Sequence, residues 1–97
     1  MKFVFKRPAV NIIDLFRQAG YSYRGTNNGD MNFIKSVGID EYQHYHIYVK
    51  DLGEEIVLNL HLDQKAPSYE GAAKHNAEYE GELVEREMER IKDIIKI

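Results

Sequence analysis

Residues 42–63 read YQHYHIYVKDLGEEIVLNLHLD, and this stretch decides the fold. Two runs rich in β-branched and aromatic residues alternate with polar residues on either side of Asp51 to Glu54, which is typical of a β-hairpin. If Lys50 lies opposite Glu55, one face of the hairpin is entirely apolar, and a slip by one residue would destroy it. That face carries Tyr45, Ile47, Val49, Ile56, Leu58 and Leu60.

The other face of the hairpin is polar and aromatic. The same register places His44 beside His61, with His46 two residues further along the strand. Directly opposed side chains stand about 5 Å apart, and those at i and i+2 about 7 Å apart. Three of the four histidines therefore converge on one patch, which Asp63 and Asn59 border.

Two other segments have helical periodicity. Residues 8–20, PAVNIIDLFRQAG, begin with a proline that a first helical turn tolerates and end with a glycine of the kind that closes helices. Residues 81–97, GELVEREMERIKDIIKI, place apolar residues on one stripe and charged residues on the other side. We expect an amphipathic helix in each segment.

The remaining segments add weaker strands. Residues 3–5 predict a short strand, and residues 21–25 and 31–37 predict a second hairpin. We expect one α+β domain over residues 1–97, with two layers: an antiparallel sheet of three to four strands and two helices packed on one face. A long loop at about residues 64–80 either covers the histidine patch or borders it.

Composition excludes several classes of protein. The 97 residues include no cysteine, which removes disulfides, thiolate nucleophiles, cysteine-ligated zinc and iron–sulfur clusters. The net charge is −3, with an excess of base in residues 1–50 and of acid in residues 51–97, so a nucleic-acid partner is not favoured. No apolar run approaches the length of a membrane span, and we expect a soluble, cytoplasmic protein.

Metal binding is one interpretation of the histidine patch. A His-x-His pair on one strand and a third histidine on its neighbour resemble the histidine ligation of zinc sites. The pattern requires no cofactor, but zinc is the ion that it suits. The candidate ligands are His44, His46, His61 and His75.

Two further interpretations need no metal. Paired histidines can act as general acid and base in a hydrolase for a phosphate-containing substrate, although no hydroxyl residue follows two positions after His44 or His61. Alternatively, the histidine and tyrosine side chains form a recognition surface for a protein, a small ligand or RNA, with ring faces that stack and ring edges that form hydrogen bonds. The candidate binding residues are Tyr42, His44, His46, Tyr48, His61, Asp63, Tyr69 and Tyr79.

The sequence favours a binding or regulatory domain over an enzyme, and a homodimer through this sheet face is one form of such binding. Packing alone is the other explanation, because half-buried sheet faces often carry aromatic residues. A patch left uncovered by the loop would favour a partner site.

The order of a helix, three strands and a closing helix is similar to that of double-stranded-RNA-binding domains and HicA-like toxins. The fragment QAGYSYRG, residues 18–25, resembles the helix end and first strand of HicA-like proteins. This resemblance would imply an RNA-binding module. The catalytic Gly-Ser-His stretch of that family is replaced here by Gly29-Asp30-Met31-Asn32, and no functional residue carries over.

Overall fold

The computed structural model describes residues 1–38, 40–65, 75–78 and 81–95, with the backbone alone at 40–42, 64–65 and 75–78. This part of the chain contains six strands and two helices, which confirms the α+β class. In chain order they are β1 Lys2–Lys6, α1 Ile12–Gln18, β2 Ser22–Asn27, β3 Asp30–Val37, β4 Asp40–Asp51, β5 Glu55–Lys65, β6 His75–Glu78 and α2 Glu82–Ile95.

The strands form one antiparallel sheet in the order β1-β5-β4-β3-β2. The sixth strand, β6, also pairs with β5, beyond the end of β1. The expected three to four strands are therefore too few. β1 contains the short strand predicted at residues 3–5, whereas β6 has only four residues, too few for alternation to identify a strand. β6 lies inside the segment predicted as a long loop.

The first helix begins later than the sequence predicts. Pro8 lies outside it, and Asn11 is the N-cap: its side-chain oxygen accepts hydrogen bonds from the backbone N–H groups of Ile13 at 2.9 Å and Asp14 at 3.2 Å. Asparagine is a preferred N-cap because it satisfies donors that have no partner within the helix. Capping therefore decides the start of α1.

Gly20 ends α1, as predicted. It has a φ of +97°, and its N–H donates to the carbonyl of Arg17, while the N–H of Tyr21 donates to the carbonyl of Phe16. These two bonds make a Schellman motif, and the rings of Phe16 and Tyr21 supply the apolar contact that accompanies it. The motif leads the chain directly into β2.

Both helices contribute to the cluster of buried side chains that includes the apolar face of the sheet. Phe16 of α1 packs on Phe33 of β3 with ring centroids 5.1 Å apart. In α2, the buried residues Val84 and Met88 belong to the same cluster. The helices contact different strands, since α1 lies beside β2 and α2 beside β5. The other face of the sheet carries the polar residues.

The register of the β4–β5 hairpin differs from the expected one by two residues. Lys50 lies opposite Val57 rather than Glu55. The cause is a tight turn at Gly53-Glu54, in which Gly53 has a φ of +99° and Leu52 N–H donates to the Glu55 carbonyl at 2.9 Å. Glycine at the first central position is typical of such two-residue turns. Because the shift is even, every side chain keeps its predicted face.

Candidate functional site

The polar face brings together residues from three adjacent strands. The corrected register places His46 of β4 directly opposite His61 of β5. On the same face, Asn32 of β3 lies opposite Tyr48, and Asp63 lies two residues beyond His61. The expectation that His44 lies beside His61 is wrong, because the shifted register pairs His44 with Asp63 and His61 with His46.

Three rings on this face contact one another. His46 stacks on Tyr48 with centroids 4.4 Å apart and an angle of 28° between the planes, and Tyr48 lies 5.6 Å from His61 at 24°. The two imidazoles are 4.9 Å apart. Each ring is therefore held by two others, and Tyr48 has a fixed orientation on a partly exposed surface.

We call His46, His61 and Asp63 the His–Asp cluster. His61 Nε2 lies 3.1 Å from Asp63 Oδ1, and His46 Nδ1 lies 3.5 Å from Asp63 Oδ2. One ligand atom from each residue can be chosen so that all three lie within 4.8 Å of one another. Among the described residues, this is the group of nitrogen and oxygen donors that could hold a metal ion.

Asn32 fixes the orientation of His46. Its amide nitrogen donates to the carbonyl of Asp30 at 3.1 Å, so its amide oxygen points the other way, 3.2 Å from His46 Nε2. An amide oxygen can only accept a hydrogen bond, and His46 Nε2 must therefore carry the proton. In neutral His46 the remaining nitrogen, Nδ1, then presents its lone pair towards Asp63.

Burial decides the protonation of both imidazoles. Loss of water lowers the pKa of His46 and of His61, and this effect outweighs the opposing attraction of Asp63. Neighbouring histidines lower the pKa further in each case. The pKa of each imidazole is therefore below its ordinary value, and both rings are neutral at pH 7. Neutral imidazole is the form that binds metals or accepts a proton.

Two neighbouring clefts run along this face. One has a volume of about 350 Å³ and is lined by Met1, Leu60 and His61, together with residues that it shares with the second. The second has a volume of about 260 Å³, and its lining includes two positively charged side chains, Lys2 and Lys50. The residues common to both clefts are Asp30, Tyr48 and Asn59. Tyr48 thus lies at the junction of the clefts, between the His–Asp cluster and the two lysines.

No known family model, characterised protein or solved structure matches this chain. We therefore infer its function from the geometry of the polar face. In the described part of the chain, neither helix has the length and apolar character needed to cross a membrane.

Of the other predicted site residues, His44 adjoins the cluster without belonging to it, and the rest lie outside the described atoms. His44 lies opposite Asp63 and lines a separate cleft of about 410 Å³ with Ser22 and Arg24. Tyr42 and His75 belong to β4 and β6, but their side chains are not among those described. The predicted residues outside the described part of the chain are Tyr69 and Tyr79.

Asn32 was missed by the sequence analysis, although the signal for it was present. In β3 the neighbouring Phe33 faces the core, so alternation places Asn32 on the opposite, polar face. The sequence contains no indication that this asparagine meets His46, because that contact depends on the pairing of β3 with β4. Lys2 was missed for the same reason, since its position depends on the pairing of β1 with β5.

Proposed function

We propose that this protein is a ligand-binding domain and that the polar face of its sheet holds the ligand. The observation that carries the proposal is the position of Tyr48, which is held by two imidazoles and lines both clefts. Aromatic rings held in this way offer a large contact area at little cost in conformational entropy. A ligand in the clefts would meet this ring first.

The residues around Tyr48 indicate the chemistry of the ligand. Asn59 is exposed beside it and offers both a donor and an acceptor. Lys2 and Lys50 supply positive charge at one end of the clefts, although Lys50 Nζ also lies 3.9 Å from Asp30. We infer a small ligand with a flat ring and an anionic group, the ring lying against Tyr48 and the anion near the lysines.

Adenosine monophosphate is a suitable probe, because it combines a flat ring with a phosphate. We expect it to shift the backbone amide signals of Tyr48, Asn59 and Lys2 in a two-dimensional NMR titration. Adenosine alone and inorganic phosphate alone should bind more weakly, since each satisfies half of the site. If all three compounds shift only residues elsewhere on the surface, the proposed cleft is wrong.

Variants separate ring stacking from charge. Tyr48→Leu should weaken binding of adenosine monophosphate by about 5- to 150-fold, the range expected for one stacked base, whereas Tyr48→Phe should retain it. Lys2→Gln should weaken binding of the phosphate compound but not of adenosine. Lys6→Gln is the matched control, because Lys6 belongs to the same strand and lines neither cleft.

A hydrolase acting on a phosphate-containing substrate is the second candidate, and one observation favours it. His61 lines the first cleft while its Nε2 contacts Asp63, so a neutral imidazole paired with a carboxylate borders the space for a substrate. Hydrolysis of bis(p-nitrophenyl) phosphate tests it: activity lost in His61→Asn would support catalysis, and no release of p-nitrophenol would reject it for this substrate. We do not extend the proposal to RNA, because the first turn of α2 is acidic.

A further inference from the structure

The donor atoms of the His–Asp cluster have a spacing close to that of zinc ligands. Zinc binds nitrogen and oxygen at about 2.0–2.1 Å, so neighbouring ligand atoms of a tetrahedral site stand about 3.3–3.4 Å apart. His61 Nε2 lies 3.1 Å from Asp63 Oδ1, and His46 Nδ1 lies 3.5 Å from the other oxygen, Oδ2, so the two contacts lie on either side of this value. One ligand atom from each residue can be chosen so that all three lie within 4.8 Å of one another. Small side-chain rotations would bring the atoms around one ion.

The arrangement of His46 also calls for a cation. Asn32 holds a proton on His46 Nε2, so Nδ1 is the ring nitrogen that faces the Asp63 carboxylate. Two electron-rich groups face each other unless a proton or a metal ion lies between them. The 3.5 Å separation is longer than the 2.7–2.9 Å expected for a charge-assisted hydrogen bond. A metal ion bound by both groups would bridge this separation.

The surroundings resemble those of a metal site as well. A histidine that binds a metal usually donates its second ring N–H to a carbonyl or carboxylate oxygen, which fixes the ring. His46 does this through Asn32, which is 8% exposed and is itself held by the Asp30 carbonyl. The orienting residue is therefore already in place behind the ring.

We propose that His46 Nδ1, His61 Nε2 and a carboxylate oxygen of Asp63 bind one divalent transition-metal ion, with water at the fourth position. Coordination through Nε2 places the remaining proton of neutral His61 on Nδ1. Two imidazoles and one carboxylate suit zinc, cobalt or iron(II), whereas magnesium and calcium prefer oxygen ligands alone. This metal site is additional to the ring-binding function proposed above, and zinc binding can be tested with no organic ligand present.

Isothermal titration of tag-free, metal-free protein with zinc chloride tests the site. We expect one ion per chain, a similar titration with cobalt(II), and no heat of binding with magnesium. His46→Asn, His61→Asn and Asp63→Asn should each abolish zinc binding. His44→Asn is the matched control, since His44 lies on the same strand and polar face but outside the cluster, and it should bind zinc as the unsubstituted protein does.

Asn32→Ala tests the positioning residue. Loss of a group behind a metal ligand costs about 10- to 100-fold in affinity, and we expect a loss of that size for zinc. The same variant should lose the preference for a proton on His46 Nε2 in ¹⁵N spectra, which a purely structural role would not change.

Circular dichroism of each variant keeps these outcomes interpretable. A folded His61→Asn protein that binds zinc as tightly as the unsubstituted chain would overturn the proposal, as would an unsubstituted protein that takes up no zinc. If His61→Asn does not fold, His46→Asn replaces it, because the His46 side chain is 21% exposed and less tightly packed. Failure of the nucleotide titration leaves this result unaffected, so the two proposals can fail separately.

Discussion

Glu87 in α2 and Asp63 in β5 are both buried carboxylates, but they lie in different layers and meet different partners. Glu87 belongs to the helix layer and faces a guanidinium group. Asp63 belongs to the polar face of the sheet and faces two imidazoles. Burying a carboxylate is costly unless another group compensates its charge. The protein meets this cost in two different ways.

Around Glu87 the compensation is permanent. Arg90 donates to it from Nε at 2.8 Å and from Nη2 at 2.7 Å, and the Tyr21 hydroxyl donates at 2.6 Å. Burial, followed by the bond to Glu87, raises the pKa of Tyr21, which remains a donor. Arg90 also donates to the carbonyl of Ala19 at 2.8 Å. This network joins α2 to the end of α1 and the start of β2, and its role is structural.

Around Asp63 the compensation is conditional. An arginine is charged at every accessible pH, whereas His46 and His61 carry charge only when protonated, and burial opposes that. Imidazoles can exchange a proton for a metal ion, and a guanidinium cannot. The partner of a buried carboxylate, rather than its burial, therefore separates a structural pair from a candidate binding site.

Removal of the permanent cation should have the largest effect. We expect Arg90→Leu to lower the free energy of unfolding by about 2–3 kcal/mol, because it leaves Glu87 buried without its charge partner; the loss is reduced because the Arg90 side chain is 39% exposed. Urea denaturation measures it. Arg86→Leu is the matched control: its pair with Glu82 is exposed on both sides and should be worth at most about 0.5 kcal/mol. Equal losses in the two variants would contradict a structural role for the Glu87 network.

Replacement of Asp63 should give a smaller change in metal-free protein. In Asp63→Asn, the amide oxygen can still accept from His61, and the amide nitrogen can donate to His46 Nδ1, so we expect a change within about 1 kcal/mol. Zinc at one hundred times its dissociation constant should add about 2.7 kcal/mol to the unsubstituted protein and almost nothing to the variant. Urea denaturation with and without zinc gives both values. A variant that zinc stabilises equally would show that Asp63 is not a ligand.

Asp51 extends the comparison to an exposed carboxylate and should show the smallest effect. It pairs with Arg7 and accepts from Gly53 N–H at 2.9 Å, and these two hydrogen bonds lower its pKa below 3.8. Because the folded-state pKa is lowered, the stabilisation is fully present above the unfolded-state pKa and is lost as the pH falls through the folded-state pKa. We expect Arg7→Gln to raise the pKa of Asp51 in an NMR titration and to change stability less than either buried substitution. An unchanged pKa would show that the pair does not form in solution.

The faces of the hairpin are predictable from sequence, but its register is not. Alternation around Ile47 and Leu58 places His46 and His61 on the polar face, and the structure agrees. A shift of two residues preserves that alternation, so the pattern cannot distinguish His44 from His46 as the partner of His61. The turn at Gly53-Glu54 makes the choice.

Long-range polar contacts explain the other differences. The charge pattern of α2 predicts that its glutamates are solvated, yet Glu87 is buried. It accepts a hydrogen bond from Tyr21, which lies 66 residues away in sequence, and no local pattern indicates that contact. Similarly, Asn32 and His46 meet only when β3 pairs with β4. Apolar periodicity carries no information about such pairs. The candidate site therefore contains residues that the sequence does not predict.

The ¹⁵N spectrum of the histidine side chains, recorded near pH 7 before and after one equivalent of zinc, tests the central claim most directly. Before zinc, we expect neutral His46 with its proton on Nε2. After zinc, we expect shifts that assign coordination to His46 Nδ1 and His61 Nε2, while His44 shows no coordination shift. Protonation of His46 on Nδ1 in the metal-free protein, or His46 and His61 signals that zinc leaves unchanged, would contradict the proposed metal site.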